Sequence, residues 1–152
     1  MNEKSARMII NWCYDESLNF YNHHLSEIEA TVQEFLNPEN AYYNIFNKNN
    51  ELIAYCCFGT DARVKGGNYD IEALDIGFGI NPNLIRRGIT FRIIDAVFDF
   101  AQSHFSTTLF RVTVAEFNNQ ALRICKKAGF QQIQKFQRKQ DGIYFLVLSL
   151  EI

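Results

Sequence analysis

Proline is scarce in this chain: only Pro38 and Pro82 interrupt 152 residues. That leaves little punctuation, no Pro-rich linker and no obvious boundary between domains. Cysteine is present, but not in metal-binding spacing. Cys13, Cys56, Cys57 and Cys125 form no C-x-x-C pair, and His23, His24 and His104 bring no spaced partner set. The spacings argue against a structural zinc site, and no metal is expected. Cys56 and Cys57 are neighbours in an apolar stretch that reads as a strand, so their side chains point to opposite faces. Reduced thiols of a cytoplasmic protein fit this usage better than a disulfide framework. A surplus of one charge sign is also lacking, since 15 Lys and Arg face 17 Asp and Glu for a net charge of -2. Without a basic surplus or tract, nucleic acid is not an expected partner. No run approaches the roughly 18 apolar residues that span a bilayer. The start, MNEKSARMIINW, has neither a sustained apolar stretch nor a small-residue cleavage site. A soluble cytoplasmic protein with no membrane partner is the expectation.

What the chain does have is apolar bulk. Hydrophobic residues make up 47%, and 14 Phe with 7 Tyr supply large units of burial. The length suits one domain, residues 1–152, with a core of its own.

The hydrophobic period changes along the chain. After a short lead, Glu16 to Glu34 carries Leu18, Phe20, Tyr21, Leu25, Ile28 and Val32 at mostly helical spacings. Ser26 followed by Glu29 is a capping-box signature and predicts a helix start there, with Asn37-Pro38 closing it. Ala41 to Phe46 and Leu52 to Phe58, parted by Asn47-Lys48-Asn49-Asn50, predict a β-hairpin. A polar loop with Gly66 and Gly67 leads to a strand over Ala73 to Ile80. Gly77 and Gly79 inside it mark a bulge or a close approach by backbone or ligand. Ile89, Ile93, Val97 and Ala101 predict a helix from Gly88 to His104. A strand over Phe110 to Val114 follows, then a helix from Asn119 to Ala128 closed by Gly129. Strands over Gln132 to Arg138 and Ile143 to Ile152 meet at Asp141-Gly142. This order predicts a mixed α/β (α+β) sheet with helices packed on it.

The informative stretch is Leu74-Asp75-Ile76-Gly77-Phe78-Gly79-Ile80-Asn81-Pro82 followed by Arg86-Arg87-Gly88-Ile89-Thr90. A strand enters a short turn and a helix begins at a glycine, where exposed amides and the helix dipole form an anion site. Gly88 permits close backbone approach, and Arg86 and Arg87 add positive charge beside a nest of amides. A helix-start glycine beside two arginines is also how an ordinary turn is written. The phosphate-loop patterns G-x-x-x-x-G-K-[ST] and G-x-G-x-x-G are both absent.

A second segment, F-N-N-Q-A-L-R-I-C-K-K-A-G-F from Phe117 to Phe130, completes a resemblance. With the element order, the two segments resemble the GNAT N-acetyltransferase superfamily: its strand, pyrophosphate loop and long helix, then its N-x-x-A-x-x-x-Y-x-K-x-G-F helix. The resemblance covers Ala41 to Phe130, and the flanks by element order alone. It implies a mostly antiparallel mixed sheet flanked by helices, with two central strands splayed apart. It also implies acetyl-CoA as cosubstrate and an amine as acceptor, and leaves a homodimer open. Backbone groups of Phe78, Gly79 and Ile80 would then bond the pantetheine arm. The amides of Arg86, Arg87, Gly88, Ile89 and Thr90, with Phe91 next, would hold the pyrophosphate. Asn118 would contact the cofactor, although Asn is equally a natural helix N-cap.

Two positions depart from the family pattern. Ile85 and Thr90 stand where the loop usually has Gln or Arg and Gly or Ala; the Thr90 hydroxyl either donates to phosphate or crowds the site. The usual tyrosine that protonates the departing thiolate is replaced by Cys125. A thiol is a weak, short donor with a reference pKa of roughly 8.5, so Cys125 delivers a proton through water or is simply a small buried residue. Asp75 is the first candidate for accepting the amine proton, with Glu72 and Glu116 nearby in sequence, and a structural carboxylate is the competing reading. Trp12, Tyr14, Tyr21, Tyr42 and Tyr43 come from segments that shape the family's acceptor pocket, though core packing explains them as well. The sequence thus supports an acetyl-CoA-dependent N-acetyltransferase, with a non-catalytic acyl-CoA-binding domain as the alternative.

Overall fold

The computed structural model describes residues 1–15 and 18–152. Its helices are α1 (Glu3–Ile10), α2 (Ile28–Leu36), α3 (Thr90–His104) and α4 (Asn119–Lys127). Its strands are β1 (Tyr42–Phe46), β2 (Leu52–Phe58), β3 (Leu74–Ile80), β4 (Leu109–Ala115), β5 (Gln131–Gln137) and β6 (Tyr144–Glu151). The six strands lie in the order β1-β2-β3-β4-β6-β5. β1/β2, β4/β6 and β5/β6 are antiparallel, while β3/β4 is parallel. The mixed, mostly antiparallel sheet expected from the element order is the one observed. Among the described residues no helix is long and apolar enough to cross a membrane.

The chain divides into two compact units. One contains Met1–Cys57 and Phe78–Thr90, the other Phe58–Gly77 and Phe91–Ile152. In the first, α1 and α2 bury Ala6, Ile9, Ile10, Val32 and Phe35 with Leu52 of β2, and Trp12, Tyr42 and Tyr55 pack on that cluster. Each fully buried aliphatic side chain there contributes about 1.5–3 kcal/mol. α1 was read only as a lead, yet its signal is local. Asn2 accepts the Ser5 N–H and caps the helix, and Glu3 pairs with Arg7 four residues on.

The capping box expected at Ser26 does not form. Leu25–Glu27 is a 3-10 turn, Glu27 holds the N-cap position of α2 without a side-chain bond, and Glu29 faces Arg7 at 2.8 Å instead. The start of the helix expected from Glu16 lies outside the described residues.

In the second unit, α3 buries Ile93, Ile94, Val97, Phe98 and Ala101, and the ring of Phe98 packs on Phe130 at 4.9 Å. α4 ends as expected. Gly129, at φ +104°, lets its own N–H reach Lys126 and the Phe130 N–H reach Cys125, so the last carbonyls are satisfied.

Two hydrogen bonds define how β2 meets β3. The Asn81 N–H donates to Ile53 and the Gly59 N–H to Asp75, both at 2.9 Å. In an antiparallel pair the bonded residues alternate, so the odd-numbered residues of β3 turn their backbone groups toward β2 and Tyr55 stands opposite Gly79. Ile76, Phe78 and Ile80 turn theirs the other way. On that side the ladder with β4 registers Leu74, Asp75 and Ile76 against Phe110, Arg111 and Val112.

Candidate functional site

In the first unit β3 ends at Ile80 and Asn81 starts a 3-10 turn, Pro82–Arg87. The Asn81 side chain accepts the Asn83 N–H at 3.0 Å, and Pro82 supplies the fixed φ of a first helical position. Gly88 follows with φ +72°, the left-handed region that favours glycine, and nothing lies within 4 Å of where its Cβ would stand. The backbone at Gly88 is therefore open to an approaching group. α3 begins at Thr90, two residues later than its hydrophobic period suggested. Its first four N–H groups have no intrahelical acceptor and carry the positive end of the helix dipole. The Thr90 side chain is buried and its hydroxyl leans to the Ile85 carbonyl at 3.4 Å. Arg87 is exposed beside this turn. The Arg86 side chain lies outside the described part of the structure.

Aromatic side chains of the same unit sit on the last residues of β3. The Tyr14 hydroxyl donates to the Ile80 carbonyl at 2.9 Å. The Tyr55 ring covers Gly79: a Cβ on that glycine would fall 2.3 Å from Cε1, 2.7 Å from Cζ and 2.8 Å from the hydroxyl oxygen. The close approach that a glycine within a strand signals is made, at Gly79, by this phenol. Burial pushes the pKa of both phenols upward, so both stay protonated at neutral pH. Tyr21 packs edge-on against Tyr14 at 6.2 Å, and Phe35 lies 5.6 Å from Tyr55. Tyr42 packs in the core, while Tyr43 is exposed on β1.

The second unit holds the other expected residues, and there Asp75 is not placed as a free base. Arg111 Nε and Nη2 reach its two oxygens at 2.6 and 2.8 Å, and Arg63 Nε adds a third bond at 2.7 Å. Asp75 and Arg111 are both only 2% exposed. Both carboxylate oxygens are committed to guanidinium groups, so the geometry favours the structural alternative. Tyr69 completes this network. The Arg111 and Arg63 guanidinium carbons lie 4.8 and 5.3 Å from its ring centre, and its hydroxyl bonds Thr113 at 2.9 Å.

Cys125 is fully enclosed, and burial pushes its thiol up to about 12. Its complete enclosure, which leaves no surface for a ligand to touch, matches the small buried cysteine better than a proton donor. Asn118 caps α4 by accepting the Ala121 N–H at 3.2 Å. Phe91, at the start of α3, carries the Lys127 ammonium 4.7 Å from its ring centre. Glu116 is paired with Lys135 at 2.6 Å.

Sequence reasoning missed Tyr55 and Arg111. A lone arginine inside the apolar run Leu109-Phe110-Arg111-Val112 was the available signal for a buried ion pair. For Tyr55 only the glycine opposite hints at a large neighbour.

Comparison with known proteins gives the arrangement a context. No individually curated protein matches the sequence. Among solved structures, an aminoglycoside N(6')acetyltransferase from Legionella pneumophila shares 23% identity, with TM-score 0.72 and coverage of 99% of this chain and 88% of that one. An uncharacterized protein from Bacillus halodurans gives TM-score 0.79 at 19% identity, covering 99% and 81%. A mutant spermidine N-acetyltransferase from Vibrio cholerae gives 0.72 at 12% identity, covering 99% and 92%. These likenesses establish a shared fold. The family model of the GNAT acetyltransferases matches residues 6–130, and the chain therefore belongs to the acetyltransferase (GNAT) family.

Proposed function

We propose that this protein transfers an acetyl group from acetyl-CoA to a primary amine of a small molecule or peptide. The observation that carries the reading is the open turn at Gly88 leading into the donors of the first α3 turn. This is the local shape a diphosphate needs: close backbone approach, unspent amides and a favourable dipole. Pantetheine is assigned to Phe78, Gly79 and Ile80, where β3 turns alternate backbone groups away from β2. The diphosphate is assigned to the amides of Arg86 to Thr90, with Phe91 next and the Arg87 side chain adding charge. Asn118 is assigned a cofactor contact beyond its cap. Acetyl-CoA supplies an activated acyl group. The protein's contribution is to hold the thioester and amine together, so that proximity lowers the barrier.

The enclosure of Cys125 favours one competing reading, an acyl-CoA-binding domain without turnover. A single experiment separates the two. Acetyl-CoA at about 100 times its dissociation constant is expected to stabilise the fold by roughly 2.7 kcal/mol. Thiol release in the presence of amines is expected to follow. Stabilisation without thiol release selects the binding domain; no stabilisation defeats both. Gly88→Asp serves as the control, because aspartate tolerates positive φ better than most residues yet sets a negative charge beside the diphosphate. It is expected to abolish stabilisation by acetyl-CoA while far-ultraviolet circular dichroism stays unchanged.

A further inference from the structure

Within that reading the departing CoA sulfur needs a proton, and Cys125, sealed in the core, is badly placed to give it. We infer that Tyr55 is the proton donor, its phenol reaching β3 through the space left by Gly79. The inference rests on the proposed acetyl transfer.

Strand geometry carries the argument. Tyr55 on β2 and Gly79 on β3 stand opposite each other, so any side chain at position 79 would collide with the ring at 2.3 Å. Glycine there lets the hydroxyl end of the ring lie over the middle residue of Phe78-Gly79-Ile80, the segment assigned to pantetheine. Of the neighbouring phenols in this unit, Tyr42 packs beside Tyr55 on the core cluster, with ring centres 6.1 Å apart. Tyr14 already spends its proton on the Ile80 carbonyl. Tyr21 packs edge-on against Tyr14, with ring centres 6.2 Å apart. Among the described residues the Tyr55 hydroxyl has no hydrogen-bond partner. An independent observation marks the same row of the sheet. Asn44, the register partner of Tyr55 on β1, has a buried side-chain oxygen that is likewise unsatisfied. A half-buried phenol beside a buried, unsatisfied amide oxygen is expected where a ligand or water completes the site. Because burial raises the Tyr55 pKa, the protonated donor is the form present at neutral pH.

The step balances. The amine nitrogen forms a bond to the acetyl carbon, the C–S bond breaks, and its electron pair stays on sulfur. The Tyr55 proton moves to that sulfur and releases CoA as the thiol. The proton lost by the nitrogen passes to solvent, from which Tyr55 is reprotonated. Amine and acetyl-CoA become N-acetyl amine and CoA.

The test measures thiol release from acetyl-CoA with phenethylamine, spermidine, an aminoglycoside and water as acceptors. Tyr55→Phe keeps the ring and removes only the hydroxyl. It is expected to lower kcat about 100-fold, the usual range for losing a general acid. Its melting temperature, KM for acetyl-CoA and acetyl-CoA dissociation constant should match wild type, so that the loss falls on kcat alone. Cys125→Ala should keep kcat within about threefold, less than the loss of any acid catalyst. Should Tyr55→Phe not fold, Gly79→Ala, which drives the ring off β3, must lower kcat similarly while the acetyl-CoA dissociation constant stays at the wild-type value. A Tyr55→Phe enzyme with wild-type kcat overturns the inference alone. So does a well-folded Cys125→Ala enzyme as slow as Tyr55→Phe is expected to be. Wild-type protein that binds acetyl-CoA but releases no thiol with any acceptor overturns both the transfer reading and the role of Tyr55.

Discussion

Asp75 has both carboxylate oxygens committed to guanidinium groups, and that decides what its removal does. Asp75→Asn leaves the enclosed Arg111 charge without its counter-ion, which costs about 3–5 kcal/mol when one member of a buried pair is lost. Denaturant unfolding checks this. A variant of wild-type stability but without turnover would return Asp75 to the role of base. The converse holds at Asn44, whose buried oxygen has no partner among the described residues. Asn44→Val removes an unpaid desolvation penalty and is expected to leave stability unchanged or raise it by about 1 kcal/mol. A loss of that size instead would reveal a hydrogen bond to ordered water. Arg111 interrupts an apolar strand, a signal the sequence analysis passed over, and nothing local points to its partner. The parallel register that sets Asp75 beside Arg111 joins residues far apart in sequence.

At the scale of elements, α4 shows how much is written locally. Asn118 caps its first turn and Gly129 closes its last, both at positions expected from residue type alone. Asn118→Ala is expected to cost about 1 kcal/mol in thermal unfolding as a lost N-cap. Acetyl-CoA affinity measured on the same variant separates cap from cofactor contact: a cap alone leaves it unchanged once stability is allowed for. α2 shows the opposite. Ser26 and Glu29 had the spacing of a reciprocal cap, but Arg7 of α1 draws Glu29 away and the chain enters through a 3-10 turn. Local chemistry offered two uses for one carboxylate, and packing of α1 against α2 selected between them.

At the scale of the whole molecule, stability depends on pH through His23. Its ring meets Phe35 edge-on at 5.9 Å, and burial, followed by the charge of His24, holds its pKa below 6.5. The folded state therefore binds fewer protons than the unfolded chain when the pH drops below that value. Stability from keeping His23 neutral is fully present above pH 6.5, declines as the pH falls toward the lowered folded value, and levels off below it. His23→Gln is expected to flatten this acid-side slope in urea unfolding measured across the window. An unchanged slope would assign the acid sensitivity to other groups.

The sequence by itself determined the order of elements from the β1–β2 hairpin onward, the glycine turn before α3 and the ends of α4. Each depends on contacts within a few residues: hydrophobic period, capping chemistry and tolerance of positive φ. Only the tertiary structure decided that Asp75 is locked to Arg111 and Arg63, that Cys125 is sealed, and that the Tyr55 phenol lies over Gly79. Those outcomes depend on strand register and on which side chains compete for one space, and neither is encoded in the spacing of residues along the chain.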